Sequence, residues 1–298
     1  MFCFSVQGSR VCFLALLLCG GVGVPAEADS LAEHVVIISV DGLRPDAIDR
    51  TEAPILDRWR KRGAMATEAR TIFPSITLPS HTSMLTGLRP IRHRVLFNSK
   101  KTGMEYIRST TCLEIAAQAG RRVGFVVAKE KLLHLSRSVP EPSLVSTDAA
   151  ALARETCRLL RERKPNLLFV HFRDPDSTGH RHGWMSPEQL LAIARVDRGL
   201  GTIEKTMKEI GIWDRSVLIL TADHGGHGLG HGSFMDVDML IPWICVGGPI
   251  QSGQRIKRSV QTFDTAATAL FLLGLPVPSG WDGKPVTELA IRGSAGKK

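Results

Sequence analysis

Short, nearly continuous apolar runs alternate along this chain with longer stretches whose apolar residues return every three or four positions. The runs VVIISVDG, VGFVVA, NLLFVHF, SVLILTADH and IPWICVGG have strand length and are rich in branched aliphatic residues, as strands covered on both faces are. ATEARTIF is a further strand candidate. Between the runs the pattern predicts a helix around Pro54–Gly63, a short one following Pro79, and one over CLEIAAQAGRR leading into VGFVVA. Asp148 is placed to cap DAAALARETCRLLRER, and a long helix is expected from Ser186, with Pro187 near its start, toward Gly211. DTAATALFLLGL closes the pattern as a helix capped by Asp264. Strands alternating with helices imply βαβ units, an α/β class and a mostly parallel sheet.

The polar residues that end the apolar runs give this pattern its chemistry. Asp41 closes the first run, Asp176 and His180 follow NLLFVHF, and Asp223 and His224 close SVLILTADH. In a doubly wound sheet the ligand crevice lies outside the carboxyl ends of the strands, so these residues converge there. Any one of them alone suits a turn, since aspartate before glycine is common in turns. Together they form an Asp/His set of the kind that holds zinc and similar divalent ions.

Composition narrows the class. With 298 residues and 43% apolar content the chain can bury one substantial core, and a single catalytic domain is expected over residues 29–290. Arg10, the run VCFLALLLCGGVGV and the small residues PAEA read as a signal peptide over residues 1–28, too short to span a bilayer, so an exported protein without a transmembrane span is expected. The tail at 291–298 reads as disordered. The net charge of +9 suits an anionic substrate, and no Lys/Arg block argues for a nucleic-acid-binding module. Cys112, Cys157 and Cys245 remain after the leader; they exclude a disulfide scaffold and read as buried packing.

Other residues divide less cleanly. His227 and His231 share the loop GGHGLGHG, where backbone freedom lets one of them reach a metal. His81, His93, His134, His171 and His182 read as packed or surface histidines, with His81 and His93 near enough in sequence to shape the site. Lys129 and Lys131 follow a strand end, where they would hold a substrate anion or begin a solvated helix. In TIFPSITLPSHTSMLTG hydroxyls stand just ahead of a helix N-terminus, which favours negative charge. Thr77 is the leading nucleophile there, with Ser75 and Ser80 as rivals.

The run FPSITLPSHTSMLTGLRPIRHRVLFN resembles the nucleophile segment of the type I phosphodiesterase/nucleotide pyrophosphatase family, within the alkaline phosphatase superfamily. VDG, DPDSTGH, ADHGG, a following HG and GGP stand in the same order as in that family, and the likeness covers residues 35 to 285. The resemblance implies a three-layer sandwich with a mostly parallel central sheet and helices on both faces. It implies two divalent ions, zinc first among them. Asp41, Thr77, Asp223 and His224 would hold one ion; Asp176, His180 and His231 would hold the other. Thr77 would form a phosphothreonine intermediate, with Asn98 and the Leu78 N–H on the phosphoryl oxygens. Lys129 and Lys131 resemble the paired lysines of phosphonoacetate hydrolase and are carried as substrate residues.

Two departures bear on substrate. Arg94 replaces the family's glycine, and only six residues separate His224 from His231, so the long insertion found there in larger members is missing. An open site for a small anionic phosphoester follows. Phosphomonoesterase, phosphonate hydrolase and a catalytically lapsed zinc-binding module are the alternatives. A sulfatase is excluded because no C/S-x-P-x-R segment occurs, and a phosphosugar mutase because no inserted domain fits.

Overall fold

A computed structural model of the chain describes residues 30–289, so the expected leader and tail lie outside the described residues. The strands are β1 (His34–Val40), β2 (Ala64–Ala66), β3 (Ala69–Arg70), β4 (Val123–Val127), β5 (Ser143–Leu144), β6 (Leu167–Phe172), β7 (Ser216–Thr221), β8 (Trp243–Gly247), β9 (Gln254–Ile256) and β10 (Val260–Gln261). Eight of them form one sheet in the order β5-β4-β6-β1-β7-β8-β2-β9, while β10 pairs with β3 in a small second sheet. From β5 through β7 every pairing is parallel, and β8 runs antiparallel to both of its neighbours. All residues of β1, β6 and β7 are buried, which explains why their sequences are continuous apolar runs rather than alternating ones.

The helices fall into two packed groups, one containing Pro54–Arg62, Ala149–Arg163 and Pro187–Glu209, the other Thr77–Thr86, Cys112–Gln118 and Asp264–Leu272. They give the outer layers of an α/β sandwich. The Asp148 carboxylate accepts the Ala151 N–H, so the cap expected there forms, and the Ser186 hydroxyl caps the long helix by accepting the Gln189 N–H. Cys112, Cys157 and Cys245 are buried free thiols. Among the described residues no helix is long and apolar enough to cross a membrane.

Three local expectations need correction. ATEARTIF is not one strand: β2 ends at Ala66 and β3 begins at Ala69, each pairing in a different sheet. The helix expected after Pro79 starts two residues earlier, at Thr77. Proline fits within its first turn because N–H groups there have no partner inside the helix. Asp264 is the first helical residue rather than the cap, a position held by Phe263. Its carboxylate accepts instead from the Gln261 and Lys284 N–H groups and from Arg258, tying the C-terminal segment down.

Candidate metal centre

Four adjacent parallel strands, β4, β6, β1 and β7, deliver the polar residues to one end of the sheet. Asp41 follows β1 directly, Lys129 and Asp223 each lie two residues beyond a strand, and Asp176 starts the helix Asp176–His182 after β6. Asp41 and Asp223 are fully buried and Asp176 nearly so. That helix puts His180 one turn after Asp176, with Nε2 3.3 Å from Asp176 Oδ1. His231 Nε2 approaches the same oxygen to 3.5 Å, and His224 Nε2 lies 3.5 Å from Asp41 Oδ1 and 3.3 Å from Asp223 Oδ2. Two groups therefore have ligand atoms within 4.8 Å of one another: Asp176, His180 and His231, and Asp41, Asp176 and His224.

The hydrogen bonds around these residues share one logic. Each candidate ligand histidine places Nδ1 2.8 Å from a backbone carbonyl: His180 on Leu229, His224 on Gly225 and His231 on Ser75. Those contacts assign Nδ1–H as donor and turn the Nε2 lone pair inward, the usual arrangement for a metal-bound imidazole. Each carboxylate has one oxygen engaged. Asp41 Oδ2 accepts from His171 and Lys129, Asp176 Oδ2 from Lys129, and Asp223 Oδ1 from the Gly42 and His224 N–H groups. The remaining atoms, Asp41 Oδ1, Asp176 Oδ1, Asp223 Oδ2 and His224 Nε2, are buried without a hydrogen-bond partner. A buried unsatisfied polar atom costs about 1–3 kcal/mol, more when charged. Four acceptors converging in this way fit a bound cation.

Burial and neighbouring charge shift these groups in both directions, and the hydrogen bond to Asp176 raises His180. Burial and the charge of Asp41 push the Asp223 carboxyl well above the usual carboxylate range. Burial opposes ionisation of Asp41 too, but Lys129 and the His171 N–H overcome it and hold that carboxyl low. Asp176 falls to about 2: burial and Asp41 oppose ionisation, and His180 and Lys129 outweigh them. Burial lowers His224, and burial with His224 lowers His231 to about 4, so both imidazoles are neutral, the ligating form.

Thr77 is buried at the first position of its helix. Its carbonyl accepts from His81 Nδ1 at 2.8 Å, and the same nitrogen lies 3.5 Å from Asp223 Oδ2. The Ser75 hydroxyl donates to Ser233 O and the Ser80 hydroxyl to Asp223 O. The Thr77 hydroxyl has no hydrogen-bond partner among the described residues. Asn98 Oδ1 accepts from the Leu78 N–H and from Lys131 Nζ, both at 2.9 Å. The Leu78 N–H is thus already engaged, and the asparagine's NH₂ is the end left to face a substrate. Lys129 bridges Asp41 and Asp176 at 2.7 and 2.6 Å, neither a solvated helix start nor a free anion site. His227 turns to Asp238, away from both metal groups.

Two residues read as packing prove to support the site. His171 accepts the Ala128 N–H at Nδ1, which leaves Nε2–H to donate to Asp41, and His81 joins Thr77 to Ser39. The signal was a polar residue interrupting an apolar strand near its end. Ser39 and His171 sit opposite one another in the β1–β6 register. His93 and His134 hold loop backbone, as packed histidines do.

Gly42 joins two parts of this centre. It adopts φ +75°, and a Cβ there would lie 2.9 Å from Asp176 Cβ. Gly42→Ala is expected to cost about 1–3 kcal/mol of stability, from left-handed backbone strain, and to weaken divalent-ion binding by displacing Asp176. Urea denaturation and zinc titration check the two effects separately.

Comparison with known proteins places this geometry. The family model for type I phosphodiesterase/nucleotide pyrophosphatase matches residues 35–237. Human ectonucleotide pyrophosphatase/phosphodiesterase family member 7 is 25% identical over 238 residues, 71% of this chain and 52% of that protein. The bis(5'-adenosyl)-triphosphatase enpp4 of Xenopus laevis is 24% identical over 236 residues, covering 72% of this chain and 52% of its own. The chain thus spans about half the length of these relatives. Among solved structures, an inactive variant of murine ectonucleotide pyrophosphatase/phosphodiesterase 5 in complex with AMP superposes with TM-score 0.72 at 17% identity, covering 83% of this chain and 96% of that one. The phosphonate monoester hydrolase of Silicibacter pomeroyi superposes with TM-score 0.69 at 16% identity, covering 85% and 75%. With an alkaline-phosphatase-like sheet and a family model matched from β1 past the last candidate ligand, the chain belongs to the type I phosphodiesterase/nucleotide pyrophosphatase family.

Proposed function

We propose that the protein is a metal-dependent hydrolase of phosphate esters, directed at phosphodiester or nucleotide pyrophosphate bonds, with Thr77 as nucleophile. The observation that carries this reading is the set of four buried, unpartnered acceptor atoms on Asp41, Asp176, Asp223 and His224. Asp41, Asp223 and His224, with Thr77, would hold one ion; Asp176, His180 and His231 would hold a second. Zinc fits a donor set of imidazole and carboxylate. Two such ions supply polarisation of phosphoryl oxygens and acidification of a bound hydroxyl.

The chain's own residues do the rest. Thr77 Oγ1 gives up its proton to solvent and bonds to phosphorus as the bond to the leaving oxygen breaks, and that oxygen departs with a proton from solvent. Water then cleaves the phosphothreonine and restores the hydroxyl. The helix N-terminus beneath Thr77 favours the negative charge that develops there. Asn98, held by the Leu78 N–H and Lys131, aims its NH₂ at an equatorial oxygen. His171 and His81 fix Asp41 and the Thr77 backbone in place.

Hydrolysis of bis-p-nitrophenyl phosphate, p-nitrophenyl phosphate and phosphonoacetate, with added zinc and after chelation, tests this. We expect zinc-dependent turnover with the diester favoured at least tenfold, about 1.4 kcal/mol in the transition state. Dominant monoester or phosphonate cleavage would move the substrate class. Bound ions with no turnover would leave a zinc-bearing binding module.

A further inference from the structure

Beside the candidate centre stand apolar side chains that no core explains. Phe73 and Phe234 are 46% and 69% exposed, and Leu229 and Met235 are 63% and 53% exposed. The two phenyl rings stack face to face, with centroids 3.9 Å apart and planes within 14°. They belong to the two segments that build the centre. His231 Nδ1–H donates to Ser75 O, the Ser75 hydroxyl donates to Ser233 O, and Leu229 O accepts from His180. The ring pair therefore lies two residues from Ser75 on one side and three from His231 on the other.

We propose that Phe73 and Phe234 form the substrate-selecting platform of this site, and that the substrate's phosphorus carries a flat aromatic substituent that stacks on them. The inference rests on the phosphoester reading above and adds the class of group the ester bears. Stacking the rings on each other covers one face of each and leaves outer ring faces beside the centre, Phe234 the more exposed. Aromatic rings prefer offset or edge contacts with another π-system at this spacing, and an open ring face beside a polar cleft is where such contacts are made. Exposed apolar patches bordered by polar groups mark binding sites more often than chance. The patch sits on the two segments that hydrogen bonds tie to the candidate ligands His180 and His231, and so its occupant is taken to be part of the substrate.

The test compares p-nitrophenyl phenylphosphonate with p-nitrophenyl methylphosphonate on the zinc-loaded protein. Both release p-nitrophenolate, and they differ only in the group on phosphorus. The wild-type protein should prefer the phenyl ester at least tenfold in kcat/KM, mostly through KM. Phe234→Ala should reduce that ratio about tenfold, whereas Leu191→Ala, at an exposed leucine on the helix Pro187–Glu209, should leave it unchanged. Calorimetric titration with phenylphosphonate and methylphosphonate should show the same loss of discrimination. Equal ratios in wild type and Phe234→Ala overturn the platform while leaving the hydrolase standing. Turnover of neither ester by the zinc-loaded wild type overturns the hydrolase and the platform with it. A fall in kcat alone, equal for both esters, would show that the ring pair only braces the two loops, and would also overturn the proposal.

Discussion

Thr77→Ala is expected to lower kcat by at least about 10³-fold, since removing the nucleophile of a covalent mechanism leaves only binding and electrostatic stabilisation. Zinc content should hardly change, because three aspartates and three histidines remain around the centre. The neighbouring hydroxyls cannot substitute. Ser75 Oγ is engaged by Ser233 O and Ser80 Oγ by Asp223 O, whereas the Thr77 hydroxyl is free at the helix N-terminus. Thr77→Ser should retain part of the activity, since it keeps the oxygen. Rapid quenching of the wild-type reaction should trap phosphate on the peptide containing Thr77. An alanine variant with full activity and full metal content would remove Thr77 from the mechanism.

The placement of the candidate centre was largely legible in the sequence because a parallel sheet brings the residues that follow its strands to one end. Asp41, Asp176 and Asp223 stood out as a set because all three follow apolar runs. His180 could be read from helical spacing. What the sequence withheld were residues whose role depends on a partner far along the chain. His171 looks like an interruption in an apolar strand until Asp41, 130 residues away, is seen to accept its proton. Lys129 looks like a solvated lysine until the β4–β6–β1 order brings it between two carboxylates. The start of the helix Thr77–Thr86 was misplaced because Pro79 is compatible with any position of a first turn, and local signals do not distinguish among them. Asp264 has the sequence of a cap, but its oxygens are claimed by Arg258, Gln261 and Lys284 rather than by its own helix.

Lys129 sets the second large effect, on stability. In the metal-free protein its ammonium touches Asp41 and Asp176 and balances their buried charge. Burial disfavours its charge, but the three aspartates hold it protonated. Lys129→Met should therefore destabilise the metal-free protein by about 3–5 kcal/mol near neutral pH, the cost of leaving buried charge uncompensated. The pH dependence has a definite sign. Asp41 and Asp176 titrate below their unfolded range, so their contribution is present above about pH 4, the unfolded value, and is lost as pH falls toward the Asp176 value of about 2. The deficit of the variant should accordingly be full at pH 7 and shrink as the solution is acidified. Added zinc should shrink it as well, because a bound cation takes over the compensating charge. Denaturant titrations of wild type and Lys129→Met, from pH 7 down to about pH 2, with chelator and with zinc, measure all of this. A deficit of the same size in every condition would mean that Lys129 contributes only its packing, and that Asp41 and Asp176 are neutralised by protons rather than by a neighbouring cation.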